Sequence, residues 1–217
     1  MKKILFVSLL LFTACSNSNV SSQKIDLYKD IPVKNDINGV SIESSSVNTK
    51  NVDNYLFRDD TIYVDLRYYS WVIRDGHIGG FSFYSFYEFF ASMEDTDNDN
   101  RLFSYKKESP ICKVGSFTPN YVESEFMLNN LFPKDKNIFA ISQSGLECTY
   151  FFNLLIQYGY DSSKLYNIGG FSNGTGLYNV AYINIDNPKH LVEGNPLLDI
   201  DKIDVTFDFM KELTPID

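Results

Sequence analysis

The stretch from Asn137 to Gly170 confines this chain more than any other. Asn137 to Ile141 is a short apolar strand that follows the breaker Pro133-Lys134-Asp135-Lys136 and runs into a small-residue loop beginning at Ser142. Behind the loop, Phe151, Leu154, Leu155 and Tyr158 recur at the spacing of a helix with one apolar face, and Gly159 stands where a left-handed C-cap is wanted. Leu165 to Ile168 is a further strand, closed by Gly169-Gly170. Strand, helix and strand joined by short loops form a right-handed crossover, so the sheet is largely parallel and helices flank it. Ligands in such folds sit at the carboxyl ends of strands. Ser142 to Glu147 occupies one of those ends, directly ahead of a helix N-terminus.

The rest of the chain is arranged around that unit. With 217 residues and 44% hydrophobic content it can enclose one core with extensions, and is short for two. Thr49 to Phe57, with Val52, Tyr55 and Leu56 at helical spacing behind a Thr cap, predicts a helix, and the β-branched run Thr61 to Leu66 predicts a strand. Pro119 to Phe132 predicts another helix, with Val122, Phe126 and Leu128 to Leu131 on its apolar side. The aromatic run at 81–90 reads as core and helix face rather than a binding platform. Residues 91–118 keep no steady period and read as an insertion or long loop. The C-terminal part, Asn173 to Asp217, holds a candidate strand, Val180 to Ile185, and an amphipathic segment, Val205 to Leu213. No internal repeat is visible.

At the N-terminus, Met1-Lys2-Lys3 precedes an apolar stretch from Ile4 to Phe12 and then Thr13-Ala14-Cys15, the charge, apolar and small-residue order of a secretory signal. The stretch is too short to remain as a membrane span. Leu11 to Cys15 resembles the lipobox of bacterial lipoproteins, which implies cleavage after Ala14 and lipidation of Cys15. Phe12 departs from the aliphatic residue usual there, and the alternative is a plain secretory signal with an incidental cysteine. Ser16 to Ser22 has the composition of a flexible tether. The expectation is an exported protein, lipid-anchored to a bacterial membrane on its periplasmic or outer-surface side. Loss of Lys2 and Lys3 with the leader takes the net charge from −9 to −11. Such a surface repels phosphate backbones, so nucleic acid is not expected as a partner. Cys112 and Cys148 would then be the remaining thiols, and whether they pair cannot be read from sequence.

Four segments in order resemble the rhodanese-like domain: Ile62 to Arg67, Gly76 to Phe81, Asn137 to Thr149, and Tyr158 to Phe171. The family carries Asp-x-Arg at the end of an early strand, a Gly-His-Ile-x-Gly turn, a strand leading into Cys-x-x-Gly-x-Arg-Ser, and Gly-Tyr before a last strand and Gly-Gly. The match spans about residues 45–175. It implies a three-layer α/β domain with a mostly parallel central sheet flanked by helices, interrupted by an insertion at about 91–118. A signal peptide at 1–14 and a tether with N-terminal segment at 15–44 would precede it, and a C-terminal extension at 176–217 would follow. In that family the loop cysteine carries a persulfide, held by loop N–H groups and a helix N-terminus.

Position by position, the loop here is Ser142, Gln143, Ser144, Gly145, Leu146, Glu147 and Cys148. Ser142 stands at the family cysteine, Gly145 matches the family glycine, Glu147 replaces the arginine and Cys148 the serine. A serine hydroxyl does not ionise near neutrality and cannot hold sulfane sulfur, and as a nucleophile it needs a base within hydrogen-bond reach. The chain has two histidines. His77 matches the family turn, where the resemblance implies loop support, and His190 lies outside the match, so no Ser-His motif is visible. Glu147 at the rim disfavours anions, and equally reads as a first-turn acid that complements the helix dipole. Cys148 would act from a different place than the cradle serves, and its alternatives are a buried small residue or a disulfide partner of Cys112. Asp65 and Arg67 match Asp-x-Arg and would brace the loop as a hydrogen-bonded pair.

Asp95, Asp97 and Asp99 are spaced like the first ligands of a Ca2+ loop. Asn100 replaces the required Gly and Lys106 the bidentate Glu, so a solvated acidic turn is the favoured reading. No cofactor is expected. The reading that results is a lipid-anchored rhodanese-like domain without its catalytic cysteine, acting on an unidentified protein or small-molecule ligand by binding. The alternatives are a thiol enzyme using Cys148, or a scaffold-only surface protein.

Overall fold

The crossover unit forms as the sequence requires. In a computed structural model, described at residues 28–91, 100–106, 115–172, 181–203 and 205–216, strand β1 spans Thr61–Asp65 and helix α1 spans Tyr69–Asp75. The short strands β2, His77–Ile78, and β3, Ser82–Phe83, come next. Strands β4, Phe103–Lys106, and β5, Ser116–Pro119, precede helix α2, Ser124–Leu131. Strand β6, Asn137–Ser142, helix α3, Leu146–Gln157, and strand β7, Leu165–Gly170, make up the crossover itself. A last short strand, β8, is Leu191–Val192.

The central sheet has the order β3-β1-β6-β7, and every neighbouring pair in it is parallel. Its two faces follow the strand period of two. Val64, Ile138, Ala140 and Leu165 join one buried cluster with Leu128, Phe132, Phe151, Leu154 and Leu155, so α2 and α3 cover that face. Tyr63, Phe139, Ile141, Tyr166 and Ile168 face the other way into a second cluster with Val47, Val52, Ile78 and Tyr182. The molecule is thus a mixed α/β protein, a four-stranded parallel sheet flanked by helices.

Several segments differ from their sequence expectations. Thr49 to Phe57 is not an α-helix but holds a single 3-10 turn, Val52–Asn54. Asparagine side chains take the backbone instead: Asn51 Oδ1 accepts from Asn48 N, and Asn48 Oδ1 accepts from Lys50 N. The chain at 91–118 is not structureless, because β4 and β5 pair antiparallel and bury Phe103, Tyr105 and Phe117. In the proposed strand Val180 to Ile185, Ala181 makes one parallel bridge to Gly170, and Tyr182–Asn184 is a 3-10 turn. The amphipathic segment near the C-terminus is a 3-10 turn, Asp208–Glu212, whose Phe207, Met210 and Leu213 pack on the α2–α3 side at the period of three natural to that helix. Residues 28–44 of the N-terminal segment pack onto the domain: buried Lys34 donates to Gly39 O at 2.5 Å and Ser162 O at 2.7 Å. The signal segment 1–14, Cys15, the tether 16–22, Cys112 and the acidic triplet Asp95, Asp97 and Asp99 lie outside the described residues.

Candidate functional site

Parallel strands β1, β6 and β7 deliver three chain segments to one edge, and there the segments change character from apolar to polar. Strand β6 ends on Ser142, and helix α3 begins four residues later at Leu146. The turn between them needs Gly145, whose φ is +88°, and an added Cβ would lie 2.5 Å from Ile42 Cδ1 of the N-terminal segment. Ser142 is fully buried, and its Oγ accepts the Gly145 N–H at 2.8 Å. One of the N–H groups that would cradle a bound anion is therefore taken by the loop's own hydroxyl.

Near it, the free thiol of Cys148 is fully buried. Burial pushes that thiol well above its ordinary pKa. The Ser142 hydroxyl opposes the shift, while the Glu147 and Asp65 carboxylates add to it. Cys148 is accordingly a neutral, enclosed thiol at physiological pH. Neither histidine supplies a base to Ser142. The His77 ring packs edge-on against Phe83 at 4.6 Å, and the His190 ring against Phe57 at 5.3 Å. Desolvation lowers the His77 pKa, and its neighbours Asp65 and Arg67 act on it in opposite directions.

Asp65 and Arg67 form a wholly buried ion pair, with Arg67 Nη2 2.6 Å from Asp65 Oδ2 and Nε shared between both carboxylate oxygens. Arg67 also donates to Gly76 O at 2.8 Å and lies 3.7 Å above the Phe171 ring. The pair thus braces the turn that leads into His77 and the chain after β7. Its hydrogen bonds run to Asp65 and Gly76, not to residues 142–148.

What fastens the loop is Asn167, a residue the sequence reading did not single out. Its buried Nδ2 donates to Gly145 O at 2.9 Å and to Val40 O at 3.2 Å, and its Oδ1 accepts from Gly169 N. This ties β7, the loop and the N-terminal segment together. A sequence signal existed: an asparagine inside a short apolar strand, just ahead of Gly-Gly, has to find buried partners.

Among the described residues, four buried side-chain atoms have no hydrogen-bond partner: Arg67 Nη1, Gln143 Oε1, Glu147 Oε2 and Ser172 Oγ. All four belong to residues just beyond the carboxyl ends of β1, β6 and β7 or in the first turn of α3. Such atoms are costly to leave unpaired, and all four gather at one edge of the sheet. Gln143 and Ser172 line an open cavity of about 410 Å3, together with Arg74 and Asp75 of α1 and with Ile183, Leu191 and Pro196. Of the loop residues 142–148, Gln143 alone lines that cavity. Among the described residues there is no cluster of three or more His, Cys, Asp or Glu side chains placed to hold a metal ion.

Fold and site together define an α/β protein with a cavity at the carboxyl ends of a parallel sheet. Comparison with family models, with curated proteins and with solved structures finds no match for this chain.

Proposed function

We propose that this chain is a rhodanese-like domain that has given up sulfur transfer and works by binding, exported and held to a bacterial membrane by a lipid on Cys15. The four ordered segments of sequence similarity support the family, and the leader-like N-terminus supports the anchor. The observation that carries loss of catalysis is the state of the loop. An oxygen occupies the cradle position, accepts a cradle N–H, and leaves the nearest thiol enclosed and protonated. Glu147 in the first turn of α3 makes the place poorer still for an anionic sulfur donor.

A binding role, rather than a bare scaffold, is favoured by the unpaired polar atoms and the cavity beside them. The partner is a protein or small molecule and not nucleic acid, given a net charge of −9 before any leader is removed. The test is sulfur loading. Incubated with thiosulfate and then examined by whole-protein mass spectrometry, the protein is expected to gain no sulfur. A persulfide that disappears in Cys148→Ser would replace this reading with a sulfurtransferase that uses Cys148. Labelled palmitate supplied to expressing cells should enter the protein at Cys15, and absence of label would remove the anchor.

A further inference from the structure

We infer that the segment 191–196 is a lid: it opens as a local unit while the domain stays folded, and so sets when the carboxyl end of the parallel sheet is accessible. The inference concerns access to the edge read above as a binding site, and neither the identity of a ligand nor the chemistry of Cys148 enters it.

The way the segment is held decides this. The chain before it is anchored by Tyr182, which is fully buried, donates its hydroxyl to Asp53 Oδ1 at 2.8 Å and accepts the His190 N–H at 3.1 Å. The chain after it is anchored again by Met210, buried in the cluster on the α2–α3 side. Between these anchors, no residue at 183–203 is buried. Leu191 packs against the second core cluster only from its rim, and Val192 is 43% exposed.

Backbone contacts fasten the lid instead. β8 pairs antiparallel with β2 over two residues, Val192 with His77 and Leu191 with Ile78. Beside that ladder, Gly79 N donates to His190 O at 2.8 Å and Asn195 N donates to Ile73 O at 3.0 Å. A segment held by a few hydrogen bonds, with almost no apolar surface buried, opens at a much lower free energy than the whole fold, because it lacks the hydrophobic contribution that ties the sheet to its helices. The packing against it is open as well. Leu191, Glu193, Gly194 and Pro196 form one side of the cavity of about 410 Å3, and Gln143, Ser172, Arg74 and Asp75 line the remainder with Ile183. Movement of the lid removes one wall from beside Gln143 and Ser172 and breaks no core contact.

Two glycines make the latch specific. A Cβ on Gly194 would fall on Gly76 N and Arg74 O, both backbone atoms, so the lid crosses the end of α1 at a separation that only glycine permits. The α1 side of the crossing is held: Gly76 N donates to Val72 O at 3.0 Å, and Gly76 O accepts from buried Arg67 at 2.8 Å. An added methyl group at position 194 is therefore relieved by movement of the lid.

Native-state hydrogen exchange in increasing urea tests the inference on the whole protein. In the wild type, the Gly79 and Asn195 amides that hold the lid are expected to be at least about a hundredfold less protected than the Leu66 amide, which bonds Ile141 O at 2.8 Å where β1 meets β6. Their exchange should depend little on urea, since opening the lid exposes little surface. Gly194→Ala should lower protection at Gly79 and Asn195 by about a further tenfold or more and change Leu66 by less than about twofold. Gly79 and Asn195 exchanging only together with Leu66, at the same rate and with the same urea dependence, would overturn the inference, because the segment would then open only with the whole fold. So would a Gly194→Ala protein that does not fold or loses protection equally at all three amides, or one in which both lid amides keep their wild-type protection. None of these outcomes turns on sulfur loading or on a ligand, so the lid and the binding reading can fail separately.

Discussion

The two ends of the parallel sheet solve the same problem in opposite ways. At the amino end, charged and polar side chains close on one another. Arg58 grips both Asp60 oxygens at 2.8 and 2.6 Å, Thr61 Oγ1 donates to Asp60, and Lys136 and Lys164 reach the carbonyls of Asp59 and Asp135. At the carboxyl end the side chains lie deeper, and four of their atoms go unpaired. Buried polar atoms are normally satisfied, and the cost of leaving them so is highest where water is excluded. The carboxyl end pairs most of its buried polar groups, through Asp65 with Arg67 and through Asn167, and leaves four atoms over. Breaking a pair is therefore expected to cost more at the buried carboxyl end than at the solvent-screened amino end.

Breaking the comparison is easiest at its most buried point. Arg67→Met leaves the Asp65 carboxylate enclosed without its partner, which should cost about 3–5 kcal/mol in urea unfolding. A loss below about 1 kcal/mol would mean that this edge is wetter and softer than described. Ser172→Ala sharpens the contrast from the other side. Removing a buried hydroxyl that bonds to nothing should leave stability unchanged or raise it by up to about 1 kcal/mol, whereas deletion of a bonded hydroxyl destabilises. A clear loss would show that Ser172 has a partner within the protein.

The amino end should give the smallest response. Arg58→Ala is expected to cost less than about 1 kcal/mol, because the Asp60 side chain is 47% exposed and solvent screens the pair. The Arg58 hydrogen bond holds the Asp60 carboxyl below the usual range, against partial burial and with help from Thr61. A depressed carboxyl stabilises fully above its unfolded value and loses that contribution as pH falls through the folded one. The difference between wild type and Arg58→Ala should therefore shrink on acidification below about pH 4. A gap that persists at lower pH would show that Arg58 acts through packing.

How legible all this was depended on the range of the interactions. The crossover was readable because β6, α3 and β7 each carry their own period or run of β-branched and aromatic residues, and local pattern matches burial. The 49–57 helix failed because Asn48 and Asn51 offered the backbone a competing set of bonds within the same few residues. β4 and β5 were missed because strands of four residues give too little alternation to register, and their pairing is settled by a partner ten or more residues away. At this edge, the loop 142–148 and the residues Asp65, Arg67 and His77 were legible in the sequence as candidates. The cavity was not, since it needs Gln143 and Ser172 from two strands together with Leu191 and Glu193 from a distant segment. No single stretch of chain records that meeting.

The central claim is that Ser142 fills the cradle from within, and the Gly145 amide reports on it directly. Followed by native-state hydrogen exchange under conditions where the protein stays folded, that amide should be protected, and protection should fall by at least tenfold in Ser142→Ala, equivalent to about 1.4 kcal/mol in local opening. A Gly145 amide that exchanges at the rate of an unstructured peptide in the wild-type protein would contradict the account, for the loop N–H would then be open to an anion after all.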